Sequence, residues 1–192
     1  MPDHRLAPLT PLGHATPHSE TIGPLTITEV TTTALASLAT RRGREADVAR
    51  AAETLNLPLP GPGHAASGPV YAAFWLGPDQ WMVEAPVASH EDILAHLRPA
   101  FGDAASLTEQ TDGWVRFDLT GMDPAGADLP ALFERLCALD TRAMQPGSAT
   151  RTVIEHLGTY ILRRPDRFTL LGPRSSAKSL LHALITAAHS AF

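Results

Sequence analysis

The sequence predicts an α+β protein whose antiparallel sheets are covered on one side by helices, and three observations carry that expectation. Short apolar runs come in pairs that flank turn-forming dipeptides, at Pro78-Asp79, Asp112-Gly113 and Pro165-Asp166. After each pair the apolar spacing changes from every second residue to the three-and-four spacing of an amphipathic helix. A capping residue marks each change: Ser89, Asp123 and Ser175. A hairpin leading into a helix, repeated along the chain, describes split β-α-β units.

Composition bounds the function. At 192 residues with 44% hydrophobic and 18% charged content, the chain can bury one sizeable core or two closely packed lobes. A formal net charge of −5 argues against a nucleic-acid or anionic-membrane partner. Cys137 is the single cysteine, which excludes an intramolecular disulfide and fits a reducing compartment. The first 20 residues lack the apolar core of a signal peptide, and no apolar run is long enough to span a bilayer, so a cytoplasmic protein is expected. Lys178 is the only lysine among 15 basic residues. A G+C-rich coding bias explains that, though the planar guanidinium also suits interfaces.

Residues 1–24 hold five prolines and three histidines without periodicity, and read as an extended arm. A disordered tail is the usual fate of such a terminus; the alternative is an arm ordered only against a partner, since Leu6, Leu9 and Leu12 are apolar residues a purely solvated tail would not need. Residues 25–192 are expected to form the domain, as two intimately packed halves of about 25–111 and 112–192. A long first strand fits residues 25–39, and Arg41-Arg42-Gly43-Arg44 ends it. Residues 45–55 carry Val48, Ala51, Ala52 and Leu55 at helical spacing. The Pro/Gly loop at 58–69 contains Gly61 and Gly63 but lacks the third glycine and the strand-to-helix setting of a dinucleotide site.

The first hairpin covers 71–84, with Pro78-Asp79 read as a type I turn. Ser89 then opens a helix with Glu91 and Asp92 in its first turn and Ile93, Leu94, Leu97 and Phe101 on one face. Residues 106–111 are expected to pair with 114–120 across Asp112-Gly113, a type I′ signal. In 114–120, Val115, Phe117 and Leu119 alternate with Trp114, Arg116, Asp118 and Thr120, which predicts one buried and one accessible face. Asp123 and Pro124 start a helix bearing Leu129, Leu132, Phe133 and Leu136. Residues 151–156 and 159–163 read as strands joined near Gly158, and 168–171 as a third, closed by Gly172-Pro173. Ser175 caps the last helix, whose buried stripe is Leu180, Leu181, Leu184, Ile185 and Ala188.

No catalytic constellation accompanies these elements. His4, His14 and His18 lie in the arm without a scaffold to complete a metal site. His90 and His96 are six residues apart and do not share a face of one helix, while His182 and His189 share a face with nothing beside them. Ser175 and Lys178 have the S-x-x-K spacing of penicillin-recognising serine enzymes, but the S-D-N and K-T-G partners are missing and a helix cap explains the serine. Cys137 ends the apolar stripe of Phe133 and Leu136 and reads as a small buried hydrophobe. Glu84, Asp118, Asp128 and Glu155 show no spacing that predicts acid–base work, and Glu109 and Asp112 flank a turn as solvated groups. Arg151, Arg163, Arg164, Arg167 and Arg174 cluster in the last quarter. Stacked strands would let several meet a carboxylate-bearing partner or an anionic ligand, and a solvated face competes with that reading. No catalytic, cofactor-binding or metal-ligating residue is assigned.

Four blocks taken in order are more specific than any one of them: LGPDQWMVEAP (76–86), TDGWVRFDLTG (111–121), CALDTRAMQPGSATRTVIEHLGTYILRR (137–164) and FTLLGPRSSAKSLLHAL (168–184). Over about residues 25–190 the chain resembles the gamma subunit of heterotetrameric sarcosine oxidase. More distantly it resembles the folate-binding fold of the glycine-cleavage aminomethyltransferase. The matching features are the turn from Leu76 to Trp81, Asp112-Gly113, the step from Cys137 to Asp140, Arg151-Thr152, and the helix start from Arg174 to Ala177. The resemblance implies ferredoxin-like split β-α-β units and a complex that oxidatively demethylates sarcosine to glycine. Such a complex releases hydrogen peroxide and passes the one-carbon unit to tetrahydrofolate. It implies alpha, beta and delta partner subunits that hold FAD, FMN, NAD and tetrahydrofolate, with none bound by this chain, which serves assembly. The acidic residue at the aminomethyltransferase folate site has no matching segment here, so no functional residue carries over. The rival readings are a free-standing tetrahydrofolate-dependent aminomethyl- or one-carbon-transferring enzyme and a ferredoxin-like RNA-binding module. The acidic charge and the lack of an aromatic-rich strand weigh against the latter.

Overall fold

The computed structural model describes residues 7–121 and 129–192. Along the chain run β1 (Ser19–Ile22), β2 (Leu25–Glu29), β3 (Thr33–Thr40), α1 (Glu45–Thr54), β4 (Ala65–Ser67), β5 (Ala72–Gly77) and β6 (Gln80–Pro86). Then follow α2 (Val87–His90), α3 (Ile93–Phe101), β7 (Ala105–Glu109), β8 (Trp114–Thr120), α4 (Leu129–Leu136), β9 (Ala149–Ile154), β10 (Leu157–Arg163), β11 (Phe168–Pro173) and α5 (Ala177–Ala191). The expected helix start at Asp123-Pro124 lies outside the described residues.

The strands form two antiparallel sheets, a six-stranded one ordered β1-β2-β8-β11-β10-β9 and a five-stranded one ordered β4-β5-β6-β3-β7. The smaller sheet holds one complete split β-α-β unit, with β3, β5, β6 and β7 as its strands and α1 and α3 as its crossovers. The larger sheet repeats that order with β8, α4, β10, β11 and α5, but its closing strand is β2, delivered from the N-terminal end. Residues 25–29, grouped by sequence with the first half, therefore pair in the sheet of the second. β4 and β9 extend corresponding edges, and the segments leading into them meet. Ala65 N–H donates to Gly147 O (2.7 Å) and Ala149 N–H donates to Gly63 O (2.8 Å).

Packing makes four layers. One face of the larger sheet buries Ile27, Phe117, Leu119 and Leu170 against Leu132 and Phe133 of α4 and Leu180 and Leu184 of α5. One face of the smaller sheet buries Ala36, Leu38 and Val83 against Val48 and Ala52 of α1 and Ile93, Leu97 and Phe101 of α3. The remaining two faces pack on each other through Leu35, Phe74, Met82, Tyr160, Leu162 and Leu171. Each sheet thus has a helix-covered side and a side turned to the other sheet.

Several expectations are corrected. The single strand expected over 25–39 is two strands in different sheets. Helix-side residues are odd-numbered in β2 (Leu25, Ile27) and even-numbered in β3 (Ala34, Ala36, Leu38), and a period-two strand cannot change parity without a break. The hairpin expected at Asp112-Gly113 does not form, because β7 pairs with β3 and β8 pairs with β2 and β11. A 3₁₀ turn at Thr111–Gly113 bridges the sheets instead, and Leu35 N–H donates to Thr111 Oγ1 at 2.9 Å. Asp79 has φ +56°, the positive value that a type II turn requires at this position, rather than type I. The β9–β10 turn is Glu155-His156, both at positive φ, and Gly158 lies within β10. The cap of α3 is Asp92, whose carboxylate accepts from Ala95 N–H at 3.0 Å, not Ser89. Ser175 lies in a 3₁₀ turn ahead of α5 and does not cap it.

Among the described residues of the N-terminal stretch, 7–24, the expected extended arm is a turn followed by a strand. Gly23, at φ +53°, and Pro24 turn β1 onto β2, as a type II′ hairpin prefers. A turn at Thr10–Gly13 (Gly13 N–H to Thr10 O, 2.8 Å) folds the arm back, and Leu12 enters the core beneath α4 and α5.

Candidate functional site

The polar residues of β8 do not face water. Val115, Phe117 and Leu119 point to the helices, which sends Trp114, Arg116 and Asp118 into the space between the sheets. On β6 the same parity rule turns Met82 and Glu84 toward them, with Val83 and Ala85 facing α1 and α3. One end of the inter-sheet layer is therefore apolar and the other charged. The turn between β10 and β11 adds Arg164 and Arg167 to the charged end.

These groups form an alternating chain. Arg164 Nη2 donates to Glu84 Oε2 (2.5 Å), and Arg116 Nη1 donates to Glu84 Oε1 (3.4 Å) and to Thr33 Oγ1 (3.1 Å). Arg116 also grips Asp118 with two bonds, Nε to Oδ1 (3.1 Å) and Nη2 to Oδ2 (3.3 Å), while Thr169 Oγ1 donates to Asp118 Oδ1 (2.8 Å). Arg167 Nε lies 2.8 Å from Asp118 Oδ2, close enough to pair but not aligned for a hydrogen bond. Side-chain exposure is 5% for Glu84, 10% for Arg116, 13% for Arg164 and 15% for Asp118, so little solvent screens them. Burying such charges costs more than it returns unless each is paired. Here the pairing draws on residues from both sheets.

A cleft of about 740 Å³ opens over this charged end. Thr31–Thr33 and Val70 form part of its wall, Pro86, Val87 and Pro165 its apolar rim, and Glu84, Arg116, Arg164 and Arg167 its floor. A second cavity of about 340 Å³ shares Thr31, Thr33 and Arg116 with it and is walled by the arm through Pro8, Leu9, Pro11 and Pro17. The arm is clamped by Glu29, 1% exposed, which accepts from Leu12 N–H and His18 N–H, both at 3.0 Å. Arg174 donates from Nη2 to Leu9 O and from Nη1 to Asp112 Oδ1, both at 3.0 Å.

The sequence-selected residues fall as follows. The five late arginines do not share an edge. Arg164 and Arg167 enter the cleft, Arg163 stacks over the Phe168 ring at 4.7 Å, Arg151 lies against Gly158, and Arg174 holds the arm. Glu84 and Asp118, unpaired by spacing, are joined through Arg116, while Glu155 sits in its turn and Asp128 lies outside the described residues. Asp112 and Glu109 are exposed, as expected, and still make contacts: Asp112, 87% exposed, pairs with Arg174, and Glu109 accepts from Thr111 N–H at 2.8 Å. His90 and His96, assigned to different faces of one helix, meet with ring centroids 4.3 Å apart because α2 and α3 are separate segments. His90 Nε2 lies 3.2 Å from the Tyr71 hydroxyl. Burial, and then the neighbouring His96, hold the His90 imidazole below its usual value of 6.5, and burial raises Tyr71. His14 and His18 lie with centroids 6.1 Å apart in the arm, and His4 is outside the described residues. Among the described residues, no group of three or more His, Cys, Asp or Glu side chains is placed to hold a metal ion. Ser175 and Lys178 are both exposed, and Cys137 is partly buried against the larger core.

For Arg116 and Glu84 the sequence carried parity alone, since nothing local shows that a second sheet covers the polar face of an alternating strand. For Glu29 it carried no signal, because its role depends on an arm that returns over it.

No protein-family model matches the sequence, and no curated protein matches it. Among solved structures, a chain of the heterotetrameric sarcosine oxidase from Corynebacterium sp. U-96, determined in complex with pyrrole 2-carboxylate, aligns with a TM-score of 0.72 at 24% identity. That alignment covers 89% of this chain and 88% of the other. The glycine cleavage system aminomethyltransferase T from Bartonella henselae aligns with a TM-score of 0.58 at 16% identity, over 84% of this chain but 48% of the enzyme. The chain therefore has an aminomethyltransferase-like fold of two antiparallel sheets with covering helices, at nearly the full extent of the sarcosine oxidase chain and about half the length of the aminomethyltransferase.

Proposed function

We propose that this chain is the gamma-type subunit of a heterotetrameric sarcosine oxidase, an assembly subunit that performs no bond-making itself. The observation that carries the reading is extent. The similarity to the sarcosine oxidase chain runs through 89% of one molecule and 88% of the other, whereas the aminomethyltransferase has a further half with no counterpart here. The chemistry of the cleft is consistent with it, since Glu84 and Asp118 are engaged by guanidinium groups rather than poised for proton transfer. On this reading the alpha, beta and delta subunits hold FAD, FMN, NAD and tetrahydrofolate. The complex converts sarcosine to glycine with release of hydrogen peroxide in the cytoplasm, and the one-carbon unit passes to tetrahydrofolate.

The test is co-expression with candidate alpha and beta chains, with and without this chain. Loss of stable complex and of sarcosine-dependent peroxide production when it is omitted is the expected result. Full activity without it overturns the assembly role. The second reading, a free-standing tetrahydrofolate-dependent aminomethyl- or one-carbon-transferring enzyme, is favoured by the shared fold and the 740 Å³ cleft. Calorimetry of the isolated chain with tetrahydrofolate separates the two: micromolar binding supports the enzyme, and none supports the subunit.

A further inference from the structure

We propose that the cleft between the sheets is the slot for a carboxylate-bearing segment of a partner polypeptide, anchored on Arg167. The partner's nature rests on the reading of the chain as a subunit; the carboxylate preference rests on the cleft itself.

Charge counting gives the preference. Three guanidinium groups (Arg116, Arg164 and Arg167) meet only two buried carboxylates, Glu84 and Asp118. The third anion, Asp166, stands at the rim with 63% of its side chain exposed and holds Arg167 Nη1 through both oxygens, at 2.7 and 2.9 Å. A pair so exposed is screened and weak, so an incoming carboxylate can take its place without disturbing the buried chain. Arg164 Nε and Arg167 Nε are buried without a hydrogen-bond partner among the described residues, so the protein itself does not saturate the guanidinium groups of this floor. Charge-assisted bonds to a desolvated guanidinium are the strong kind.

The arm supplies the argument for a polypeptide. In the adjoining cavity, which shares Thr31, Thr33 and Arg116, a looped segment of the arm (Pro8, Leu9, Thr10, Pro11, Ala15 and Pro17) already forms one wall. They are held by backbone groups on charged side chains, with Leu12 N–H and His18 N–H on Glu29 and Leu9 O on Arg174. The cleft has a comparable lining: a charged floor, a wall of Thr31–Thr33 and Val70, the last 47% exposed, and an apolar rim of Pro86, Val87 and Pro165. A looped polypeptide segment held by charged side chains thus already packs beside this cleft, which itself is open.

The experiment reads the arginine Nε–Hε resonances of the full chain during titration with three probes: a blocked Pro-Leu-Glu-Thr-Pro peptide, its Gln counterpart, and glutarate. The Glu peptide is expected to shift Arg167 and Arg164. The Gln peptide should bind about tenfold more weakly, Arg167→Gln should lose the difference, and Asp166→Asn should tighten binding about fivefold. Equal binding of the Glu and Gln peptides, or no binding of either, overturns the proposal. So does glutarate matching the Glu peptide, which would make the cleft a small-molecule site. In the co-expressed complex, Arg167→Gln should lower the salt concentration at which the subunits part, and Asp166→Asn should raise it. A complex that forms but ignores both substitutions defeats the slot alone. Failure of the wild-type chain to form any complex defeats the subunit reading, and the peptide titration still decides the carboxylate preference.

Discussion

Arg116 sets the character of the molecule's centre. On a strand with one face in solvent it would be an ordinary surface arginine, but a second sheet covers that face and turns it into the link between Glu84 and Asp118. Removing one partner of such a chain leaves an uncompensated charge. Glu84→Ala is expected to cost about 3–5 kcal/mol in urea unfolding, and Glu84→Gln less, because it retains an acceptor for Arg116. The exposed pair Arg44–Asp47 should give no measurable loss when neutralised, although Arg44 holds Asp47 below its usual value. Gly68 is a backbone case, since a Cβ there would lie 2.4 Å from Asn56 O. Gly68→Ala should therefore destabilise by about 1–3 kcal/mol, read as a lowered denaturation midpoint. What was legible at this scale was parity, not environment. The alternation in 114–120 separates Arg116 from Phe117 correctly, but sequence alone cannot show that the polar side would be covered. Positive φ at Asp79, Glu155 and His156 was hidden because none is a glycine, and it is the two-residue hairpin turns they form that require it.

At the scale of elements, the helices were the clearest in the sequence because their apolar stripes are local patterns. Ile93, Leu94, Leu97 and Phe101 on α3, and Leu180, Leu184 and Ala188 on α5, are buried where the spacing placed them. Strand pairing was not legible to the same degree. The Asp112-Gly113 signal describes what two isolated strands prefer, and β7 and β8 are each claimed by distant partners instead. The break between α2 and α3 has a measurable consequence through His90. Because burial favours its neutral form, the unfolded chain takes up the proton more readily than the folded one. Stability should therefore fall as the pH drops through about 6.5 and level off once the lower folded value is passed. Thermal melts at pH 7.5 and 5.5 check this, and His90→Asn should remove that part of the difference. The arm gives the second element-level expectation. Glu29→Ala leaves two arm N–H groups without their acceptor, should cost about 1–3 kcal/mol, and should make the arm susceptible to limited proteolysis while the sheets stay protected.

At the scale of the whole molecule, the hairpin-and-helix repetition in the sequence corresponds to two split β-α-β units laid sheet to sheet, the second closed by a strand from the N-terminal end. That exchange of β2 cannot be read from local pattern, since it depends on which sheet accepts the strand, although the parity change across residues 30–32 marks where the chain crosses. The arrangement buries a charged layer at the middle of the molecule and keeps a cleft open above it. Glu84 and Asp118 in that layer are each engaged by guanidinium groups. The subunit role proposed above rests on the extent of the similarity to a sarcosine oxidase chain, 89% of this molecule and 88% of the other.

Native mass spectrometry of the chain co-expressed with sarcosine oxidase alpha and beta subunits tests that conclusion most directly. The account expects this chain in one fixed copy number within a larger assembly, and no free monomer when the partners are in excess. A chain that stays monomeric beside intact, active large subunits would contradict it.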